Sequence, residues 1–321
     1  MKDSKKNEKA QVQSKEIEKI KKQLSEFKFE ELLFLDHINE IIINIHNCLC
    51  RKILSNKSRN NNYTLCELKD GDNVSKWKIK NRNGSISSSK KNYQLSLAYN
   101  LNKDSRESII RNGFLYSFFK TDIKMPFPFL IHGTFNLSSE RNSLIKQDNE
   151  NRELLLILID FIAEFAIEIS KEENDGICGY EPLKCLIPSG NFGVLDDQYD
   201  FGNLLKNKIK NLKIFPCIND EYVCLNDEPK YSDNRFDLFV NKTSFSKLLK
   251  HCDESYIVEY LTKQLNVSFY KVDEMTNLLN KDSSFYVSEN RNFDLIKLFE
   301  NFIVNTLPFF KLIKARLQFQ S

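Results

Sequence analysis

The amino-acid sequence predicts an α+β fold: a mixed β-sheet packed by one long helix, followed by a smaller helix-rich α+β domain. Three observations carry this. Between Ile38 and Leu137, short runs alternate apolar and polar residues at the strand period of two. Asn149–Ile169 reads as one long helix, apolar from Leu154 on except for Asp160, Glu164 and Glu168, whose spacing of four is a helix period. Beyond the polar break Glu172–Gly179 the apolar runs become short and irregular. The break divides the chain into a basic lead (1–28), a sheet domain (29–172) and a C-terminal domain (173–321).

Composition sets the outer limits. A chain of 321 residues has room for about two domains. A hydrophobic content of 41% with 12% aromatics is enough for packed cores and excludes a disordered chain. Met1–Lys28 holds nine Lys against five Asp/Glu; with a whole-chain net charge of +3, the remainder is close to neutral. A near-neutral body argues against a nucleic-acid surface, and leaves residues 1–28 as the one basic tail that could meet an acidic partner. The eight cysteines include no CxxC pair and no Cys/His spacing typical of zinc, so no metal site is expected. No secretory leader pattern opens the chain, so reduced thiols in a cytoplasmic protein are the expectation. The most apolar run, Leu154–Ile169, carries Asp160, Glu164 and Glu168. Each would cost about 2.5–3.5 kcal/mol at a bilayer centre, so this run reads as a helix of a soluble domain and no membrane is expected.

In chain order, Ile17, Ile20 and Leu24 make one thin helical stripe in the lead. Glu30–Leu35 begins a short helix, and Ile38–Ile45 is a β-branched strand. Tyr63–Leu68 and Val74–Lys80 form a hairpin through an Asp-Gly turn at Asp70–Gly71. Tyr93–Leu101 is a strand, and the Ser, Lys and Asn of Asn81–Lys91 predict a mobile connection before it. Phe114–Phe119 is a further strand. In the second domain, Asp200–Ile209 reads as a helix and Leu212–Leu225 as two strands around an Asn-Asp turn, with Cys217 and Cys224 on facing arms as core thiols. Phe245–Leu265, Phe293–Ile303 and Phe309–Leu317 read as helices. No repeat of 20–50 residues is present.

The stretch Pro126–Leu144 carries most of the functional argument. Pro126 and Pro128 set the backbone extended. Phe129, Ile131, Gly133, Phe135 and Leu137 then alternate with Leu130, His132, Thr134 and Asn136 to give one strand with an apolar face. Ser138 or Ser139 can cap a following helix, with Arg141 in its first turn. A strand running into a helix start with an arginine there suits a phosphate group; otherwise the serine is only a cap and Arg141 a solvated charge. His132 reads as structural, having no Ser, Cys or carboxylate at catalytic spacing. Trp77, between Lys76 and Lys78, reads as hairpin packing rather than a base-stacking platform.

The run GFLYSFFKTDIKMPFPFLIHGTFNLSSERNSL (Gly113–Leu144) resembles the segment that follows the nucleotide-binding domain in Hsp90-like (GHKL) ATPases of the sacsin-like type, and ELLFLDHINEIII (Glu31–Ile43) resembles the opening of the same region. The resemblance covers 29–170 and, loosely, 180–225. It implies a transducer-like, S5-type sheet domain. It also implies that Arg141 reaches the γ-phosphate of a nucleotide, with Lys124 and Lys120 as further candidates and Ser138 and Ser139 on the nucleotide side of the turn. The ATP-binding elements of that family are missing. Asp175-Gly176-Ile177-Cys178-Gly179 has its glycines at the wrong offsets for the adenine-binding turn, and the helix before it carries no ExxxN. Walker and GxGxxG loops are absent, and nine glycines leave little for a phosphate cradle. The resemblance therefore implies a chain without ATPase activity of its own, which meets ATP and Mg only through a partner carrying a Bergerat-type site. A homo-oligomer is compatible with this. The alternatives are a non-catalytic interaction scaffold and, through residues 1–28, a nucleic-acid-binding accessory.

Overall fold

The structure is a computed structural model that describes residues 29–35, 37–43, 48–57, 63–70, 73–102, 113–173, 178–232, 247–270 and 274. The expected helices of the lead and of 293–317, and residues 71–72 of the Asp-Gly turn, lie outside the described residues. The chain is α+β, with a mixed sheet and several helices. It divides into two compact units, one formed by residues up to Phe165 with Pro188–Asn203, the other by Ala166–Ile187 with the residues from Leu204 on.

The first unit is built on an eight-stranded sheet of order β1-β2-β3-β4-β5-β8-β6-β7. Its strands are β1 (Glu40–Ile43), β2 (Cys48–Lys57), β3 (Tyr63–Asp70), β4 (Asn73–Ser85), β5 (Asn92–Asn100), β6 (Phe114–Ser117), β7 (Phe119–Lys124) and β8 (Leu130–Gly133). β1 to β5 form an antiparallel meander, β6 and β7 a hairpin, and β8 joins them, antiparallel to β5 and parallel to β6. The pairing Asp70↔Asn73 leaves two residues for the β3–β4 turn, as the sequence predicts.

The strand period of two sorts this sheet into two faces. On one, Cys66, Leu68, Trp77, Ile79, Ala98, Tyr116 and Leu130 pack against Leu32, Leu33 and Phe34. These last three come from the 3-10 turn Phe29–Phe34, the short helix expected there. The other face carries Leu95, Leu97, Tyr99 and Ile131, all buried. Against it lies helix α1 (Asn149–Glu173), with Phe165 edge-on to Tyr99 at 6.4 Å and to Phe129 at 5.7 Å. Asp160, Glu164 and Glu168 are exposed on α1 as its periodicity predicts, and Glu164 pairs with Arg82 of β4.

Two strand expectations are corrected. The first half of the Asn81–Lys91 connection is strand: β4 runs on to Ser85, and in the turn that follows the Ser87 and Ser88 N–H groups donate to the Glu153 carboxylate. Ile86, at 2% exposure, anchors that turn. The strand expected over Pro126–Leu137 is only four residues long, and all four are buried, so neither side of it faces solvent. His132 is one of them; it stacks on Phe34 at 5.2 Å and meets Phe118 edge-on. Ahead of β8, Phe127 stacks on Phe129 at 5.5 Å and continues into Phe192 and Phe201, forming an aromatic wall beside helix α3 (Val194–Tyr199).

The second unit holds helix α2 (Glu181–Leu186), most of α4 (Phe201–Lys210), the hairpin β9 (Phe215–Pro216) with β10 (Tyr222–Val223), the parallel pair β11 (Lys230–Tyr231) with β12 (Ser268–Phe269), and α5 (Ser255–Glu259), which continues as a π-helical turn to Gln264. The helix expected from Phe245 starts ten residues later. Leu248 and Leu249 are fully buried, bridging backbone to backbone with Lys230 and Cys217, so their apolar character serves strand-like pairing. Lys250 ties the unit: its ammonium donates to the Cys178 carbonyl and pairs with Asp220, both at 2.7 Å. Cys217 is buried and its thiol is pushed up to about 12 by burial, which makes it an inert core residue.

β8 has no room for a larger residue at Gly133, where a Cβ would meet the Phe135 ring and lie 2.8 Å from Leu95. Gly133→Ala is expected to destabilise the protein by about 1–3 kcal/mol through overpacking. Urea unfolding reads this as a lower midpoint at unchanged slope, and Gly133→Ala combined with Phe135→Leu should recover part of the loss.

Candidate functional site

The residues singled out by sequence lie on two neighbouring pieces of the first unit, the edge strand β7 and the turn 137–144. On β7, Thr121 and Ile123 point inward and are buried, while Lys120, Asp122 and Lys124 are exposed. The Asp122 N–H donates to the Asn142 carbonyl at 2.9 Å, which fastens the turn to the strand. Lys120, Lys124 and Arg141 thus stand on two joined elements, the lysines on a strand and not in a loop. Lys120 lies over the Phe114 ring at 3.9 Å, whereas Lys124 and Arg141 make no ion pair among the described residues.

The local structure around Arg141 differs from expectation. Ser138 and Ser139 do not cap a helix, and Arg141 is not in a first turn. Leu137 and Leu144 pair as an antiparallel bridge, and between them the chain closes a tight turn in which the Arg141 N–H donates to the Ser138 carbonyl and the Ser138 N–H to the Ser143 carbonyl. Arg141 takes the left-handed conformation at φ 59°, which lets the turn close. The Ser138 hydroxyl is spent inside this turn, 3.0 Å from the Ser143 and 3.3 Å from the Asn142 side-chain oxygens, while Ser139 is exposed. A hydroxyl bonded within its own turn is poorly placed to hold a nucleotide. The cap of α1 is Asp148, whose Oδ1 accepts the Asn151 N–H at 2.7 Å.

Two groups that sequence reasoning missed shape this corner. Asn136 exchanges bonds with Asn151, its N–H donating to Oδ1 and its carbonyl accepting from Nδ2, while its own Nδ2 donates to Glu150 and its Oδ1 accepts from Lys91. This knot locks the turn to the start of α1; the Asx spacing of Asn136, Asp148 and Asn151 was its only sequence signal. The second is Glu31. Buried at 7% exposure, its carboxyl accepts the Lys120 N–H, so an outward amide of the edge strand is satisfied from the 3-10 turn.

Comparison with protein-family models, curated proteins and solved structures finds no match to this chain. Among the described residues, no cluster of His, Cys, Asp or Glu could hold a metal ion, and no helix is long and apolar enough to cross a membrane.

The two kinds of carboxylate here have opposite pH signatures. Loss of solvent raises the Glu31 carboxyl above the ordinary value, outweighing the lowering by the Lys120 N–H and ammonium, with Glu30 adding a smaller upward push. The native state then holds a proton longer than the unfolded state, so this group's contribution is full at low pH and is lost as pH rises through the raised value. Glu150 and Glu153 are lowered, chiefly by the Asn136 amide and by the Ser87 N–H, so their contribution is present above the unfolded value and lost as pH falls. Glu31→Gln keeps the acceptor and removes the titration. The melting temperature of Glu31→Gln relative to the parent should therefore rise as pH climbs from the ordinary carboxylate value of about 4.3 and level off once the raised native value is passed; a difference that stays flat would show that Glu31 is not held in this way.

Proposed function

We propose that this chain is the transducer-like portion of a sacsin-like, Hsp90-type machine, and that it offers Arg141 in trans to the nucleotide of a Bergerat-type partner. The observation that carries the reading is the state of Arg141: an exposed guanidinium without an ion pair among the described residues, at the tip of a turn fixed by its own hydrogen bonds and tied to β7. With the backbone of the turn already fixed, only the side chain remains to be ordered when phosphate charge develops, and an arginine supplied from outside a nucleotide site can then accelerate phosphoryl transfer. Lys124, exposed on β7, provides a second cation. The chain itself holds no ATP in this reading, and it works in the cytoplasm.

A scaffold reading is favoured by a different feature. Phe118 and Phe119, at 48% and 56% exposure, are the most exposed large apolar residues among those described, and they sit together at the β6–β7 turn. A neighbouring aromatic pair is a common anchor of protein interfaces.

Capture of partners by the full chain from its native cell, with and without ATP or a non-hydrolysable analogue, separates the two. The transducer reading expects a Bergerat-type ATPase polypeptide recovered only with nucleotide. It further expects Arg141→Ala to lower the ATPase rate of that complex by of order 10³-fold, with no ATP bound by the isolated chain at micromolar concentration. Partners indifferent to nucleotide, lost in Phe119→Ser but kept in Arg141→Ala, would instead identify a scaffold.

A further inference from the structure

Where β4 and β5 run beyond the cover of the 3-10 turn, the sheet opens into a shallow depression of about 650 Å³. Its lining is Asn83, Gly84 and Ser85 from β4, Asn92, Tyr93 and Gln94 from β5, and Thr134 just after β8. No lining residue is charged, in a chain of which 28% is Asp, Glu, Lys or Arg. Asn, Ser, Thr and Gln are common on any surface; what sets this patch apart is that they line a concavity together with no charged residue among them. We infer that this depression binds a neutral, polyhydroxylated ligand of the oligosaccharide class.

The register supports the assignment. Asn83 pairs with Gln94 and Ser85 with Asn92, so four side chains of one face stand opposite each other in two rows. Neighbours across such a pair lie about 4.5–5.5 Å apart, a spacing over which adjacent hydroxyls of one ring can be shared. The polar groups are partly pre-set. The Ser85 hydroxyl donates to Asn92 Oδ1 at 2.9 Å, which leaves the Asn92 amide nitrogen as a donor. Thr134 Oγ1 accepts the Gln94 N–H at 3.0 Å, which leaves its hydroxyl proton to give. Amides and hydroxyls offer donors and acceptors in equal measure, and a sugar hydroxyl requires both. A charged ligand would find no counter-charge here, and an apolar one would strip water from amides without replacing their hydrogen bonds.

The test is saturation-transfer NMR on the full chain with maltohexaose, cellohexaose, chitohexaose and mannohexaose, and with a heparin hexasaccharide as the charged counter-probe. Saturable binding of at least one neutral probe is expected, weakened about tenfold by Asn83→Ala, in line with the loss of one ligand hydrogen bond. Asn83→Lys should abolish it. Asn83 is exposed, so both variants should melt with the parent. The inference is overturned if no neutral probe binds at up to about 10 mM, if binding survives both substitutions, or if the heparin fragment binds in preference.

Discussion

The first unit depends on β8. Four residues, Leu130–Gly133, join an antiparallel meander to a hairpin that would otherwise form a separate ribbon. A strand this short contributes few ladder bonds, and its position is secured by burial on both faces: Ile131 towards α1 and Leu130 towards the Phe34 side. A slip of one residue would exchange those faces and place His132 under the helix. The stack of His132 on Phe34 and the missing Cβ of Gly133 against Phe135 both resist that slip. The parallel pairing with β6 then fixes where β7 lies, and with it the edge that carries Lys120 and Lys124.

A second constraint acts across the α1 face. β4 places Lys78, Lys80 and Arg82 on the same side of the sheet as Leu95 and Leu97, where an apolar residue would be expected. Lys78 and Lys80 are nonetheless 3% and 6% exposed. Aromatic rings contribute to the tolerance. Lys78 lies 3.9 Å from the Tyr63 ring centre, and Lys80 and Arg82 lie over Phe161 at 5.9 and 4.6 Å. Cations on ring faces, with their stems lying along apolar surface, cost far less than isolated buried charges. Glu164 receives Arg82 at the rim, so the acidic edge of α1 also serves to position the helix on β4.

The strands from Tyr63 to Leu101 and the helix from Asn149 were legible because each repeats its period over enough residues to exclude the other. The strand order was not legible, since the β6–β8 pairing depends on burial shared by residues far apart in the chain. Ser138-Ser139-Glu140 misled because a serine before a glutamate signals a helix cap and a tight turn equally well, and the left-handed Arg141 that decides between them has no residue-type signature. At 245–265 the apolar spacing of a helix was real, but the Leu248 carbonyl was already committed to the Ile218 N–H and the Leu249 N–H to the Lys230 carbonyl. The knot at Asn136 and the contact of Glu31 with β7 join distant segments and left almost no local trace.

That last contact decides what kind of recognition the β7 edge can support. An edge strand normally offers its unpaired N–H groups to any incoming strand. Here Glu31 takes the N–H of Lys120 and Asn142 takes that of Asp122, so two successive outward amides are already satisfied. A partner adding a strand would have to displace a buried carboxyl and open the 137–144 turn. The main chain of this edge is therefore closed, and what it still presents is side chains: Phe118 and Phe119 at one end, Lys124 at the other, and Arg141 on the turn beside it. Recognition at this corner must be by side chain, in which charge and aromatic surface set the partner and the backbone only holds them in place.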